Sequence, residues 1–384
     1  MNNTAASDSK EGFTWISPYS PDDSRGGWKS MQFHLLRALE SKLGPAIRIA
    51  PVEAAEEFAG KWLSRAQKLF RIPRPYAYYS ESRLCAFARV VEAQLPKNGS
   101  RPVVFFGGLP FVKCQPAQAY YIYTDGAFFV HYWEYNTDHS HSTREIARIC
   151  QAEAEFMRKA AGVWCSSQWV AGRIAREYNI PDERLHCVGT GPGDVPLPIE
   201  PIRYENFLVM IAGDFERKGG RLAVDAVAEA RRRGADLGVK FIGAKPPDDV
   251  MALPFVEWCG WLDLRKEADS KRFADLISRA GAHILLSRAD LTPLAIPEAA
   301  VYSKATIAAA VGGIPEMIEN GKTGWLVDPA AQEGDIGKLL AEIFADTVLL
   351  EKAGCAASCF GREAWNWSAV AEKATATLCQ ETVQ

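Results

Sequence analysis

Short, almost wholly apolar runs alternate along this chain with longer stretches in which apolar residues recur every three or four positions. The first run, Phe13 to Ser17, reads as a strand and leads into the glycine-bearing loop PYSPDDSRGG. WKSMQFHLLRALESKLG follows, with Met31, Leu35, Leu36, Leu39 and Leu43 at helical spacing and Gly44 as a stop signal. Basic-aromatic helical stretches run on to about residue 95. PVVFFG (102–107) and AYYIYT (119–124) are then short enough to be buried parallel strands. Thr143 to Ala161 is a charged amphipathic helix, and GVWCSS, QWVAGRIAREYN and LHCVGT continue as strand, helix and strand.

The proline-rich segment 191–206 has no periodicity and marks the domain boundary. After it the alternation restarts with FLVMIAG, LAVDAVAEARRRG, GVKFIG, FVEWCGWL, a helix through Ile277, AHILLS, PEAAVYSKA, ATIAAA and GWLV. A closing helix is expected in GREAWNWSAVAEKATATL. The pattern predicts an α/β protein of two Rossmann-like, doubly wound domains. The expected division is 1–198 for the first, with 1–12 a disordered tail, 199–365 for the second, and a C-terminal helix in 366–384 returning to the first. Open α/β sheets bind ligands beyond the carboxyl ends of their strands, so the two sets of loops are expected to face a central cleft.

Composition narrows the function classes. A length of 384 residues fits two domains, and 48% hydrophobic with 24% charged residues is a globular balance. The net charge of −3 argues against a nucleic-acid partner. The nine cysteines lack zinc-type spacing and their odd number excludes a complete disulfide framework, so a reducing, cytoplasmic location is expected. The polar start MNNTAASDSKEG carries no signal-peptide pattern, and no apolar run reaches the roughly 20 residues of a membrane span. The basic-aromatic stretch 60–83 could touch the inner face of an anionic membrane, but a solvated helix face is the favoured reading. DHSH (138–141) with His131 lacks the cues of a metal cluster, so no metal is expected.

Three stretches hold the candidate chemistry. In DLTPLAIPE, Asp290 falls just past a strand, and Pro297 suits the first position of a helix with Glu298 in its first turn. The loop of Leu291, Thr292, Pro293 and Leu294 can face an anion while a carboxylate accepts hydrogen bonds from a ribose diol. Alone, the stretch fits a helix-dipole complement and a turn cap equally well. In GDFERKGG, Arg217 and Lys218 stand beside two glycines at a strand-to-helix junction, as diphosphate recognition requires. A solvated basic turn is the simpler alternative. In AAAVGGIPEMIENGKTG, Gly312 and Gly313 separate a strand from a short helix opening on Pro315.

RKGG (217–220), the acid pair Asp290 and Glu298, GGIPE (312–316) and GKTG (321–324) together resemble the second domain of glycosyltransferase family 4, retaining enzymes of the GT-B fold. The resemblance covers residues 205–370 and is specific, because four motifs occur in order at fitting intervals. It implies a sugar transferred from a nucleotide-diphosphate sugar, UDP expected ahead of GDP, to a carbohydrate, lipid or small-molecule acceptor, with no further cofactor. It also implies that Gly26 and Gly27 approach the donor phosphates and that Thr190 and Gly191 lie by the cleft. Asp125 and His131 would be acceptor-side, with Asp125 orienting or deprotonating the acceptor. The loop at Gly260 and Trp261 is where the base would be read. Catalytic roles would then fall to Asp125, Asp290, Arg217 and Lys218, with Glu298 on the ribose. The chain departs from the family pattern at Asp290, where a glutamate is usual, at LTP for a glycine-bearing loop, and at Asp214. A sugar-nucleotide epimerase and a catalytically silent binding subunit are the alternatives.

Overall fold

The computed structural model describes residues 12–24, 26–49, 79–96, 101–135 and 141–378. The chain divides into two compact units: the described residues up to Val188 with those from Val370 onward, and Gly189–Ala369. The stretch 60–78, the tail 1–11 and residues 138–140 of the DHSH loop lie outside the described residues.

The first unit is a six-stranded parallel sheet in the order β2-β1-β3-β4-β5-β6. Its strands are β1 (Phe13–Ile16), β2 (Ala46–Ile49), β3 (Val103–Phe106), β4 (Tyr120–Thr124), β5 (Gly162–Cys165) and β6 (Leu185–Cys187). β1, β3, β4 and β5 are buried along their whole length, which is why they read as unbroken apolar runs. Trp15, Phe106 and Tyr123 carry an aromatic layer across three of them, with Phe106 and Tyr123 stacked at 5.6 Å. Helices α1 (Gly27–Leu43), α2 (Glu81–Gln94), α3 (Thr143–Lys159) and α4 (Gln168–Tyr178) connect the strands. β2 was not expected. As an edge strand, AIRI is only partly covered, and the exposed Ile47 and half-buried Arg48 break the apolar signature of its neighbours.

The second unit is also a six-stranded parallel sheet, ordered β12-β11-β10-β7-β8-β9. Its strands are β7 (Glu205–Ala212), β8 (Gly238–Gly243), β9 (Val256–Gly260), β10 (Ala280–Leu285), β11 (Thr306–Ala309) and β12 (Gly324–Val327). Helix α5 (Gly220–Arg232) lays Ala223, Val224, Val227 and Ala230 into the core. Helices α6 (Glu267–Arg279), α7 (Ala295–Val301), α8 (Glu333–Phe344) and α9 (Thr347–Ala364) complete the layers. The proline-rich segment is pinned to this unit. Ile199 N–H donates to Ser278 Oγ at 2.9 Å, Arg203 N–H to Ser278 O at 2.9 Å, and the Tyr302 hydroxyl to Pro196 O.

The expected closing helix is two helices. α9 ends at Ala364, and α10 (Trp367–Leu378) begins after Trp365 leaves helical geometry. From Val370 onward α10 belongs to the first unit, where Thr377 Oγ1 accepts a 2.9 Å bond from the buried Trp164 indole. Among the described residues no helix is long and apolar enough to cross a membrane.

Strand order locates the sites. In the second unit the chain starts at β7 and winds outward in both directions, so β7 and β10 flank the topological switch point. In the first unit β1 and β3 do the same. The loops after these strands diverge to opposite faces and leave a crevice, the default ligand position of such sheets.

Candidate functional site

The switch point of the second unit is built by three loops locked through backbone. The loop after β7 carries Asp214, Arg217 and Lys218 and ends on Gly219, whose φ of +75° only glycine adopts readily. A side chain there would stand 2.0 Å from Leu286 O, so glycine also lets the loop close on the end of β10. Gly312, at φ +57°, does the same after β11, where a Cβ would lie 1.7 Å from Asp290 O. Arg288 N–H donates to Arg217 O at 2.8 Å and Gly313 N–H to Leu291 O at 2.9 Å. The loop after β10 is thereby held on both sides.

Charge completes the lock. The Lys218 ammonium donates to Asp290 Oδ2, Ser287 Oγ donates to the same oxygen at 2.9 Å, and Arg217 Nη1 lies 3.8 Å from Asp290 Oδ1. Arg217 also donates to Ala289 O at 2.9 Å. Asp290 is 5% exposed, so this ion pair is little screened, whereas the contact of Arg217 with the half-exposed Asp214 is weakened by solvent. The Lys218 charge reaches further. It helps lower the pKa of buried His283, which burial chiefly depresses to about 3, leaving a neutral ring whose Nδ1 faces Thr306 Oγ1 at 3.1 Å.

Glu298 lies within the same field. Burial pushes its pKa up to about 7, against the opposing effects of the Gly193 N–H that donates to it and of Lys218. Trp261, 68% exposed, lays its indole next to Gly213 just past the end of β7, 3.7 Å from where a Cβ would stand. Trp258 on β9 donates from Nε1 to Gly243 O at 3.1 Å, at the end of the neighbouring strand.

The switch point of the first unit is a cavity of about 350 Å³, lined by the ends of β1, β3 and β4 and by the segment after β4. Trp28 meets Phe106 edge-on at 4.7 Å, and Phe128 stacks on Tyr132 at 5.8 Å. His131 lines the cavity with Nε2 3.4 Å from Asp125 Oδ1. Burial acts to lower the His131 pKa, but the hydrogen bond and charge of Asp125, with Glu153 and Glu134, outweigh it and leave the pKa above the ordinary value. Glu153, on α3, is buried. Its Oε2 accepts from Phe128 N–H at 2.8 Å and from the Tyr178 hydroxyl at 2.6 Å. Burial holds its pKa above the carboxylate range.

Residues 206–346 match the model of the family described as glycosyl transferases group 1. The matched residues lie within the second unit. No curated protein matches the chain in sequence. Among solved structures, sucrose-phosphate synthase from Thermosynechococcus elongatus is 16% identical with a TM-score of 0.71, over 96% of this chain and 99% of that one. HepE from Anabaena, in complex with UDP, is 12% identical with a TM-score of 0.65, over 96% of this chain and all of its own. TarM is 14% identical with a TM-score of 0.60 over 77% of this chain, and the match spans only 58% of TarM. At these identities the likeness is one of fold, the paired Rossmann-like units of GT-B glycosyltransferases.

Within the second unit, the structure brings Arg217, Lys218, Asp290, Leu291, Thr292, Glu298 and the two glycine turns together. It also amends the sequence reading. Helix α7 begins at Ala295, so Pro297 is its third residue rather than its first, and Glu298 N–H already bonds Leu294 O at 2.9 Å. Proline is tolerated there because a third-position N–H still lacks an intrahelical partner. With seven residues α7 is a weak dipole, and the electrostatics rests on side-chain cations. The 3₁₀ turn of GGIPE likewise starts at Ile314, not at Pro315. Asp290, expected to meet sugar hydroxyls, has its carboxylate engaged by Lys218 and Ser287. Gly191 packs under the Trp367 indole, where a Cβ would stand 2.7 Å from the ring, and its neighbour Gly193 is the residue that reaches Glu298. Thr190 is buried.

In the first unit Gly26 and Gly27 are exposed, with open space where side chains would project. Asp125 does not line the cavity; His131 does. Sequence reasoning missed Trp28, Glu153 and His283. Trp28 follows the glycine pair and reads in sequence only as a helix residue, while Glu153 and His283 each lie inside a regular element with nothing local to mark them. Among the described residues no group of three His, Cys, Asp or Glu side chains could hold a metal ion.

Proposed function

We propose that the protein transfers a sugar, with retention of anomeric configuration, from a UDP-sugar to an acceptor hydroxyl. The observation that carries this reading is the partly buried Lys218–Asp290 pair with Arg217, held across the β7/β10 switch point by Gly219 and Gly312. Cations fixed before the substrate arrives need no reorganisation as negative charge grows on a leaving diphosphate, and such preorganisation is usually the largest catalytic contribution. Asp290 acts by holding Lys218 in place. Glu298 accepts hydrogen bonds from the ribose, and Trp261 supplies a face for the base. In the reaction the C1–O bond breaks with its electron pair leaving on the diphosphate, while the acceptor oxygen bonds to C1 and its proton passes to His131, oriented by Asp125. The family match of the second domain and the UDP in the HepE structure support the donor class; retention rests on the four-motif resemblance.

Calorimetry with UDP, GDP and ADP tests the donor assignment. Tightest binding to UDP, weakened at least tenfold in Lys218→Ala and in Glu298→Ala, is expected. Equal binding to wild type and both variants would sink it. Proton NMR of the product anomer tests retention.

A further inference from the structure

The cavity at the β1/β3 switch point lies wholly within the first unit, and its volume of about 350 Å³ falls in the range of small-molecule sites. Its walls are unusually aromatic. Tyr19, Trp28, Tyr79, Phe106, Phe128 and Tyr132 all line it, and their mutual edge-on and stacked contacts fix the ring orientations. Rigid aromatic faces bury the apolar side of a flat or ring-shaped ligand at little entropic cost.

The polar groups are few and convergent. Both hydrogen bonds of the Glu153 carboxyl fall on Oε2, which leaves Oε1 for a ligand on a side chain only 3% exposed. His131 stands at the same cavity, carried by the turn that follows Phe128. Among the described residues no Lys or Arg lines the cavity. The cations around it are already engaged: Lys29, 5.8 Å from the Tyr19 ring, is held by Asp23 at 2.9 Å, and Arg148, which donates to Tyr79 O at 2.7 Å, is held by Glu145 at 2.7 Å. An anion would therefore be desolvated beside the buried Glu153 carboxyl with only His131 to meet its charge, and Asp125 already pairs that imidazole at 3.4 Å. A ring with an apolar face and neutral hydroxyls meets every group present.

We propose that this cavity binds the acceptor as an uncharged, unphosphorylated pyranose ring, with its C–H face on the Trp28–Phe106 pair and one hydroxyl donating to Glu153 Oε1. Trp28 and Glu153 are then the residues that set acceptor specificity. A site built to hydrogen-bond one hydroxyl discriminates strongly against rings that lack it, because its own polar atom is left unpaired. The inference rests on the reading of the first unit as the acceptor side.

Saturation-transfer NMR on the full chain tests it, with methyl glucoside, methyl galactoside and methyl mannoside as neutral probes and glucose 6-phosphate as the anionic one. At least one neutral glycoside should bind in the millimolar range or tighter. Glucose 6-phosphate should bind at least tenfold more weakly, and both Trp28→Ala and Glu153→Gln should weaken the glycoside at least tenfold. Glu153→Gln keeps the shape of the side chain, and an unchanged circular dichroism spectrum establishes that Trp28→Ala is folded. Preferred binding of the phosphate, no binding of any neutral probe, or binding indifferent to both variants overturns the inference. Calorimetry with UDP on the same samples separates the two readings. UDP binding without glycoside binding removes only the acceptor class, whereas glycoside binding without UDP binding removes the donor assignment and leaves the cavity as a ring-binding site.

Discussion

Each switch point lies beside the first strand of its unit, in sheets that run 2-1-3-4-5-6 and 3-2-1-4-5-6, yet the two are made of opposite materials. In the second unit the crevice is closed by charge and by glycine: Lys218 on Asp290, Gly219 on Leu286 and Gly312 on Asp290. In the first it is an open cavity walled by aromatic rings, and Gly107 in that wall, like Gly26 and Gly27 at the start of α1, has nothing within 4 Å of where a side chain would begin. A site for a multiply charged group must fix cations before it binds and has no tolerance in its backbone. A site for a neutral ring needs only rigid faces and a few polar atoms. One architecture thus serves both tasks, and the loops decide which.

The largest expected effect tests the charged half of that contrast. Lys218→Ala should lower kcat/KM about 10³-fold, equivalent to about 4 kcal/mol of lost charge stabilisation, while glycoside binding in the first unit stays unchanged. A loss below tenfold in steady-state kinetics would remove Lys218 from the machinery. The next effect concerns backbone. Gly312→Ala should destabilise the second unit by about 3 to 5 kcal/mol, combining left-handed strain with a collision that must move backbone. Gly26→Ala, with the same strain and open space around it, should cost only about 1 kcal/mol. Urea melts of the two variants compare them directly, and equal losses would break the distinction drawn here.

Two smaller effects are read in pH. The His131 pKa stands above its ordinary 6.5, so activity should rise with pH along a limb displaced above that value. Asp125→Asn removes the main group that raises it and lets burial prevail, so the limb should move to lower pH while kcat falls about tenfold. A limb that stays in place would dissociate the pair. Glu298, with its pKa near 7, is protonated below that pH and cannot then accept a pair of hydrogen bonds. Affinity for a UDP-sugar, whose phosphates carry no proton in this window, should therefore increase severalfold from about pH 6 to about pH 8. In Glu298→Gln it should be flat. The sign for stability is the reverse: the folded form holds the Glu298 proton more tightly than the unfolded chain, whose value is 4.5, so the second unit loses stability between that pH and about 7. The Gln variant should lack this slope.

The buried architecture was legible in the chain because parallel strands buried on both faces have no choice but to be apolar, as VVFF and YYIYT are. The edge strand AIRI escaped because one side of it meets solvent. The donor-side motifs were legible as residue types, since a glycine at φ +57° or a cation pair after a strand leaves a local mark. Their partnerships were not, because Asp290 and Lys218 are 72 positions apart and only folding sets one against the other. Pro297 misled by one helical convention: it suits the first position best, but the third is equally free of an intrahelical bond. The aromatic cavity was invisible for a different reason. Its walls come from the ends of three strands and two helical segments, and each ring looks in sequence like an ordinary core residue.

Helix α10 carries a consequence for how the protein comes into being. The indole of Trp164 and the faces that Val370, Ala371 and Ala374 bury belong to the first unit, yet the residues that cover them are synthesised only after the whole second unit. A nascent chain ending anywhere in the second unit carries a first unit with that seam still bare. The first unit starts before the second and is completed after it, so chaperone capture of unfinished chains should concentrate on the Trp164 seam and end when α10 emerges.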